Sequence, residues 1–309
     1  MNGVTPGSHK FFDIIELRKA YERGENITQL MREKSGLSHN SSEIIEVAYD
    51  LQAGSYVDYA RNNPDALNRY TTETGAILGS HLAGDDQLLD IGTGEMTTLC
   101  ALLKAMPDWQ GDTFAFDISW SRIRTGQNYV EAEYPALRAR IKPFVADLAA
   151  IPLRDKSVDV VTSSHALEPN GGRLPELLSE LFRITRRKLV LFEPSYELGN
   201  EAARERMARL GYIRDMQGAV EGLGGTFVSA SLINNIARVE NPTACYVIEP
   251  PKRTGTALVS NTGFSVPGTD HPLTLHEGFY HSSATGLGFP VVDSIPVLKR
   301  ENAILMTAL

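Results

Sequence analysis

LLDIGTGEM, residues 88–96, is an apolar run that passes through one acid into two glycines. A buried strand that ends in a glycine turn is typical of the first strand of an open α/β sheet, whose ligands bind beyond the carboxyl ends of the strands. The stretch therefore predicts a nucleotide-binding loop. The residues around the loop bear on which kind of nucleotide it binds.

Apolar runs continue downstream of this loop and alternate with helical patterns. The runs cover residues 112–117, 141–146, 158–163 and 188–193, and the helical patterns cover residues 95–106, 119–138, 173–186 and 201–217. This alternation predicts parallel strands with helices on both faces of the sheet. Two more runs, at residues 225–233 and 243–250, predict an antiparallel pair. Together they predict a Rossmann-like, mostly parallel α/β sheet of seven strands.

The pattern divides the chain into three parts. Residues 1–83 are predicted to be a helical lid or substrate region, which begins with a helical pattern over residues 11–34 that breaks at Gly24. Residues 84–250 hold the Rossmann-like domain. Residues 251–309, which begin at a double proline, predict a small β-rich module.

Composition and charge restrict the function. The formal charge of −8 and the pI of about 5.5 weigh against a nucleic-acid substrate, because nucleic-acid binders present a basic face. Cys100 and Cys245 are the only cysteines, which is too few for a disulfide framework and favours a reducing compartment. No apolar run is long enough for a signal peptide or a membrane span, so we predict a cytoplasmic protein without a membrane partner.

The glycine spacing distinguishes two kinds of nucleotide. A dinucleotide-binding loop needs Gly-x-Gly-x-x-Gly so that a diphosphate can approach the backbone, and Thr97 stands at the third glycine. Asp90, two residues before the first glycine, would repel two phosphates. An acid at this place favours a ligand that carries a cation and no phosphate, such as S-adenosylmethionine. A nicotinamide-dependent dehydrogenase is the less favoured alternative.

Acidic residues also follow the second and third strands. Asp117 ends the run FAFD, where its carboxylate can accept hydrogen bonds from both hydroxyls of a ribose. Asp147 and Leu148 follow the third strand, where they can contact the amine and the face of an adenine. Each acid alone could equally be an ordinary helix N-cap. Together with Asp90, these acids at successive strand ends favour a bound nucleoside.

These motifs resemble those of the class I S-adenosylmethionine-dependent methyltransferases of the small-molecule type, over residues 87–193. LLDIGTGEM is similar to the first motif of that family, FAFDIS to the second, VADLAAIPLRDKSVDVV to the third and LVLFEP to the fifth-strand region. The loop departs from the family at Met96, where a third glycine is usual. The resemblance implies S-adenosylmethionine as cofactor, S-adenosylhomocysteine as product, and a cofactor site formed by Asp90, Gly92, Thr93, Gly94, Asp117, Ile118, Asp147, Leu148, Ser163 and Tyr56. Within this set, Asp90 is expected to hold the loop in shape.

Methyl transfer from a sulfonium needs an aligned acceptor, and a base only where the acceptor carries a proton. The stretch SSHALEPNGG, residues 163–172, follows the fourth strand, where we expect the acceptor to lie. His165 is a candidate base because its pKa lies near neutrality, and a structural histidine beside the cofactor is an equal alternative. Glu168 and Glu193 are candidate catalytic acids that would orient an amine or a hydroxyl. The alternative for Glu168, which precedes Pro169 and a Gly-Gly turn, is that it only fixes the loop. Further candidates for contact with the substrate are Asn170 and Tyr196.

The helical N-terminal region supplies a candidate lid. AYDLQAGSYVDYA, residues 48–60, resembles the tyrosine-bearing helix that many small-molecule methyltransferases place over the cofactor. We expect Tyr49, as a substrate contact, and Tyr56, as a cofactor contact, to close over the methionine end and exclude water. The alternative is that these two tyrosines and Tyr59 form a helix packing face.

Residues 264–298 resemble the small zinc-ribbon-like domain that activates some RNA and protein methyltransferases, most closely in the ending FPVVDSIPVL. The paired cysteines of that domain are replaced by Val266 and Thr269, so the resemblance implies no zinc site here. We predict a module without metal that serves packing or dimerisation. Its histidines are expected at the surface and not as metal ligands: His271, His276 and His281.

These observations favour a methyltransferase that acts on an oxygen or nitrogen atom of a small molecule, in secondary metabolism (natural product biosynthesis), and they allow a homodimer. An RNA or protein methyltransferase is the first alternative. The tail suggests it, but the acidic charge and the sequence SSHA, in place of an Asn/Asp-Pro-Pro-aromatic motif at the fourth strand, oppose it. A protein that binds S-adenosylmethionine without catalysis is the second alternative.

Overall fold

A computed structural model of the chain describes residues 13–236, 240–252 and 263–309. The helices before the first strand are α1 (Ile14–Glu22), α2 (Ile27–Ser35), α3 (Ser42–Asp50), α4 (Ser55–Asn62) and α5 (Pro64–Gly79). The predicted break at Gly24 separates α1 from α2, and this glycine takes a left-handed φ of 78°. Residues 11 and 12 of the predicted helical pattern lie outside the described residues.

The main sheet is formed by β1 (Leu88–Ile91), β2 (Thr113–Asp117), β3 (Ile141–Val145), β4 (Val158–Ser164), β5 (Thr185–Pro194), β6 (Thr226–Leu232) and β7 (Thr243–Glu249). Its strand order is β3-β2-β1-β4-β5-β7-β6. β1 to β5 are parallel, and β7 is antiparallel to β5 and β6. The predicted fold class is confirmed. Because the order reverses between β1 and β4, the carboxyl ends of these strands form the crevice in which doubly wound sheets bind ligands.

The helices packed on this sheet are α6 (Thr97–Ala105), α7 (Trp120–Glu133), α8 (Leu174–Ile184), α9 (Glu201–Leu210) and α10 (Met216–Gly222). The prediction of a single helix over residues 201–217 is wrong. Gly211 takes a left-handed φ of 71° and donates its N–H to the carbonyl of Ala208, which ends α9. Asp215 then caps the separate helix α10 by accepting the N–H of Gly218.

Two apolar clusters hold the sheet, one on each face. Leu89 packs with Leu177 of α8 in the first cluster, and Leu88 packs with Leu99 of α6 in the second. Neighbouring residues of a strand point to opposite faces, which explains why Leu88 and Leu89 belong to different clusters. Every residue of β1 is buried, as expected for a central parallel strand. The glycine loop therefore starts from a rigid strand.

The chain ends in a small antiparallel sheet of β8 (Thr274–His276), β9 (Phe279–Ser282), β10 (Leu287–Val292), β11 (Ile295–Pro296) and β12 (Ile304–Leu305). This module covers the β3 edge of the main sheet. Val297 forms a parallel bridge with Val145, and Leu298 donates its N–H to the Val145 carbonyl at 2.8 Å. The ring of Phe264 lies 5.0 Å from that of Phe144, so the module shares a core with the main sheet.

The histidines of the module lie only partly as predicted. His271 and His276 are exposed, but His281 is buried, with its Nε2 3.2 Å from the carbonyl oxygen of Met306. His281 points inward because β9 pairs with both β8 and β10 and packs one face on the core. Within the described residues, no three His, Cys, Asp or Glu side chains converge as metal ligands. Each described helix is too short or too polar to cross a lipid bilayer.

Candidate functional site

The loop after β1 makes a tight turn that leaves no room for a side chain at two of its positions. Gly92 and Gly94 have φ values of 59° and 56°, in the left-handed region that favours glycine. A Cβ on Gly92 would lie 2.5 Å from Cβ of Ala166, and a Cβ on Gly94 would lie 2.5 Å from Nη2 of Arg122. Between the glycines, Thr93 donates its N–H to a β2 carbonyl at 2.9 Å. Space and backbone conformation therefore both require the two glycines.

Met96 also has a left-handed φ, 56°, although it is not a glycine. Such a conformation costs a residue with a side chain about 1–3 kcal/mol. The side chain is 1% exposed and packs in the apolar cluster with α6, and this burial offsets the backbone strain. Met96 thus keeps the backbone that a glycine would take and adds a core contact.

Asp117 joins the glycine loop to the start of α7. Its Oδ2 accepts the N–H of Gly94 at 3.0 Å, and its Oδ1 accepts the N–H of Ser119 at 2.9 Å. The residue is 5% exposed and lines the cleft beyond β1. Because a carboxylate offers about four lone-pair sites, each oxygen can accept one further hydrogen bond from a ligand.

The strand ends, the glycine loop and α3 surround a cleft. Doubly wound sheets bind their ligands at this position, beyond the carboxyl ends of the strands. The residues predicted to bind the cofactor that line it are Gly92, Asp117, Ile118, Asp147 and Leu148. The residues predicted to act on or contact the acceptor that line it are Tyr49, His165 and Asn170.

Other predicted residues lie outside this lining. Asp90 is buried within β1, and burial raises its pKa to about 7. Ser163 is buried as well, and its hydroxyl donates to Glu193 at 2.7 Å. The ring of Tyr196 lies 4.9 Å from the guanidinium carbon of Arg214. The structure therefore does not bring Asp90, Ser163 or Tyr196 to the cleft surface.

Arg122, which no sequence motif singled out, lies at the centre of the site. It is 5% exposed, lines the cleft, and lies 3.9 Å from the carboxylates of both Glu95 and Asp117. Its guanidinium carbon is 5.2 Å from the ring centroid of Tyr49 and 4.4 Å from that of Tyr56. Its Nε lies 3.9 Å from Oε1 of Glu95, beyond hydrogen-bond distance, and has no hydrogen-bond partner among the described residues.

Two further carboxylates dock the N-terminal helices onto the site. Glu95, 1% exposed, accepts the backbone N–H groups of Gly54 and Val57 at 2.9 and 2.8 Å and so caps α4. Asp50, at the end of α3, accepts the hydroxyl of Ser119 at 2.6 Å at the start of α7. Sequence reasoning missed both acids. The one available signal was that Glu95 directly follows the second glycine.

The tyrosines of the predicted lid lie in different environments. Tyr49 lines the cleft, whereas Tyr56 and Tyr59 are 44% and 47% exposed. A helix face that packs in a core would bury all three side chains. The three tyrosines therefore do not form one buried packing face.

His165 follows β4 and is held through both ring nitrogens. Its Nδ1 lies 3.0 Å from Oε2 of Glu168, and its Nε2 lies 2.9 Å from Oγ1 of Thr243. Glu168 also accepts a hydrogen bond of 3.2 Å from the hydroxyl of Tyr212. Burial is the largest single influence on the pKa of His165 and lowers it, but the hydrogen bond and charge of Glu168, together with the charge of Glu193, outweigh burial and raise that pKa. The same contact favours the neutral tautomer with its proton on Nδ1, which leaves Nε2 as the acceptor.

Glu193, at the end of β5, is fully buried beneath residues 163–168. Burial raises the pKa of this carboxyl to about 7. Both oxygens of this carboxyl accept hydrogen bonds from within the protein. This favours a role in fixing the segment that carries His165, and it opposes direct contact with an acceptor. The donors are Ser163 Oγ at 2.7 Å and the backbone N–H groups of Ala166 at 3.0 Å, Leu167 at 3.0 Å and Glu168 at 3.1 Å.

Comparison with known proteins bears on this site. Residues 88–188 match the profile of a methyltransferase domain. Over 100 residues the chain is 34% identical to the ubiquinone/menaquinone biosynthesis C-methyltransferase UbiE of Dinoroseobacter shibae, and the match covers 32% of this chain and 38% of the relative. The chain thus spans less than half the length of the curated relative that it matches.

Solved structures match over more of the chain. The complex between the Haloferax volcanii Trm112 methyltransferase activator and a methyltransferase contains a chain that is 17% identical, with a TM-score of 0.51 over 65% of this chain and 98% of that chain. The geranyl diphosphate C-methyltransferase of Streptomyces coelicolor A3(2) is 12% identical, with a TM-score of 0.45 over 57% of this chain and 74% of its own. The first of these similarities shows that the two chains share a fold.

Proposed function

We propose that this chain, whose residues 88–188 match a methyltransferase domain, is a class I S-adenosylmethionine-dependent methyltransferase that transfers a methyl group to a small-molecule acceptor. The observation that carries the proposal is the cleft at the carboxyl ends of the strands. Acids at two strand ends, Asp117 and Asp147, line this cleft, and so do Tyr49 and His165. The two acids suit a nucleoside, and Tyr49 and His165 suit an acceptor.

The residues of the cleft fit an adenosyl sulfonium. Asp117, Asp147 and the nearby Glu95 outnumber Arg122, so the local charge favours a cation. The remaining acceptor sites of Asp117 can pair with ribose hydroxyls. Leu148 offers an apolar surface to the adenine. Bound S-adenosylmethionine supplies a methyl group on a positively charged sulfur, which is a good leaving group.

The side chains around the acceptor then align it and take up its proton. Tyr49 lines the cleft and limits the access of water. Nε2 of His165 accepts the proton of the acceptor as its oxygen or nitrogen attacks the methyl carbon. Glu168 stabilises the resulting imidazolium through Nδ1. The hydroxyl of Thr243, which contacts Nε2 in the free protein, gives way to the acceptor.

Calorimetry with S-adenosylmethionine and S-adenosylhomocysteine tests this proposal. We expect both to bind and a nicotinamide dinucleotide to give no heat. Mass spectrometry of reactions with a panel of phenols, amines and carboxylic acids then identifies the acceptor by the methylated product. No heat with either ligand at millimolar concentration refutes the proposal, and binding without turnover on any acceptor favours a protein that binds the cofactor without catalysis.

Asp117→Asn should weaken the binding of both ligands by about 1–3 kcal/mol, or about 5- to 150-fold in Kd. The amide keeps one acceptor oxygen, but its NH2 group then faces the N–H of Gly94 or Ser119. Asp112→Asn is the matched control, because Asp112 directly precedes β2, is 47% exposed and pairs with Lys142. An unchanged Kd in folded Asp117→Asn protein contradicts the role of Asp117.

A carbon atom is the second candidate for the methylated position, because the relative UbiE is a C-methyltransferase. His165 suits either chemistry, since a phenol that loses its proton becomes nucleophilic at oxygen and at ring carbons. The position of the new methyl group in the product, determined by NMR, distinguishes the two. An RNA substrate is opposed by the charge of −8, and a tRNA mobility shift that is lost at modest salt would favour it.

Location and assembly are proposed on other grounds. We propose a cytoplasmic location because Cys100 and Cys245 are both free, buried thiols. A role in secondary metabolism stays a prediction that rests on the resemblance and on the small cleft. A homodimer also stays a prediction, and light scattering on the purified protein tests it.

A further inference from the structure

Lys299 connects the C-terminal module to the lid through a buried ion pair. The residue is 2% exposed, and its Nζ lies 2.6 Å from Oε1 of Glu46 on α3. Glu301 lies further away, at 3.5 Å. Removing an ammonium from water is costly unless a carboxylate compensates for the lost solvation. Lys299 and Glu46 therefore hold each other in place.

Glu46 shares a side of α3 with residues that line the cleft. Ser42 and Tyr49 stand at the i−4 and i+3 positions from Glu46, so they are its neighbours on the helix surface. Both of these residues line the cleft. A helix of 9 residues is unstable by itself, so the place of α3 over the cleft depends on its tertiary contacts.

The backbone next to Lys299 is anchored to the floor of the cleft. Leu298 is fully buried and donates its N–H to the carbonyl of Val145 at 2.8 Å. Val145 ends β3 and leads into residues 146–148, which line the cleft. Lys299 thus joins the strand below the cleft to the helix above it.

We propose that Lys299 is a positioning residue for the cofactor site, through which the C-terminal module holds α3 and Tyr49 over the cleft. The inference rests on the proposed function, because it gives the module a part in closing the cofactor site. If the module only covered the edge of β3, it would not need a buried lysine that pairs with Glu46 on α3.

Lys299→Met and Glu46→Gln in the full chain test the proposal. We measure hydrogen exchange of residues 42–50 in the ligand-free protein and the Kd of S-adenosylhomocysteine by calorimetry. Each variant should show faster exchange in α3 and binding about tenfold weaker, a typical size for coupling between two sites. The double variant should lose less than the sum of the two single variants, because both changes break the contact between Lys299 and Glu46.

Arg124→Met is the matched control. Arg124 of α7 also pairs with the module, through Asp293 at 2.8 Å, but this pair is exposed and does not involve α3. It should leave the exchange of α3 and the Kd at wild-type values. If Lys299→Met does not fold, Glu46→Gln gives the same test, since it removes the charge and keeps the shape.

Wild-type exchange in α3 and wild-type Kd in folded Lys299→Met and Glu46→Gln protein overturn the proposal. Equal changes in α3 exchange and in Kd in Arg124→Met protein also overturn the proposal. Any lost contact between the module and the main domain would then have the same effect, and Lys299 would have no specific role. Should the wild-type protein bind neither ligand, the proposed function fails. Exchange of residues 42–50 then still decides whether Lys299 positions α3.

Discussion

Glu193→Ala is expected to lower the free energy of unfolding by about 3–5 kcal/mol. The wild-type carboxylate is fully buried and accepts one hydroxyl and three backbone N–H groups from residues 163–168. Alanine leaves these donors without a partner in a dry space. The loss should stay below the sum of the separate costs, because the segment can shift and admit water. Urea unfolding measures it as a change in midpoint at a constant slope.

Glu176→Ala is the control for this measurement. Glu176 pairs with Arg173 at 3.1 Å but is 54% exposed, so its removal should cost about 1 kcal/mol or less. If Glu193→Ala lowers the free energy of unfolding by no more than Glu176→Ala does, the segment carrying His165 is held by other contacts. In that case Glu193 would regain its place as a candidate for contact with the acceptor.

The pH dependence of stability gives Glu193 a second test. Burial disfavours its charged form and raises its pKa to about 7, so the folded state binds this proton more tightly than the unfolded chain does. The resulting stability is complete below the unfolded pKa, 4.5, and is lost as the pH rises to about 7. The free energy of unfolding of wild type minus that of Glu193→Gln should therefore fall over this range. A difference that grows with pH would show that the four donors keep the carboxylate charged.

Asp90 must be measured beside Glu193 because its effect has the same sign. Burial raises the pKa of Asp90 to about 7 as well. In Asp90→Asn protein the free energy of unfolding should decrease less with rising pH than in wild type, and the decrease that remains should be the one due to Glu193. If the two acids titrate independently, their separate decreases should add up to that of the wild-type protein.

The sheet and the strand-end residues were predictable because they follow from local pattern and topology. Apolar runs such as LLDI mark buried strands, and parallel strands bring their carboxyl ends to one edge. This logic placed Asp117 and Asp147 in the cleft without any knowledge of side-chain packing. It failed at Gly211, because the helical spacing of apolar residues continues through a glycine that ends the helix.

The contacts that complete the site were not predictable, because they join segments far apart in the chain. Arg122 lies within a helix whose pattern gives no reason for a buried cation, and its neighbours Glu95 and Tyr56 come from a loop and from the lid. Thr243 begins β7 and meets His165 only because β7 inserts between β5 and β6. Lys299 finds Glu46 only once the module has covered the β3 edge.

His165→Gln is expected to lower kcat by about 10²-fold or more and to change the Kd of S-adenosylhomocysteine far less. Glutamine keeps hydrogen-bonding atoms in place but cannot take a proton from the acceptor near neutral pH. Steady-state rates with the acceptor found in the panel, together with calorimetry, measure the two effects separately. Equal losses of rate and binding would make His165 a structural residue of the cleft.

The pH profile of kcat distinguishes a base from a residue that only fixes the loop. Only the unprotonated imidazole can accept a proton, and contact with Glu168 raises the pKa of His165, so kcat should rise with pH through a value above 6.5. Glu168→Gln removes the charge that raises this pKa and should move the rise to lower pH. Thr243→Val removes an uncharged contact to Nε2 and should leave the rise in place. A profile that Glu168→Gln does not move would assign the titration to another group, because Glu168 is the carboxylate that hydrogen-bonds to His165.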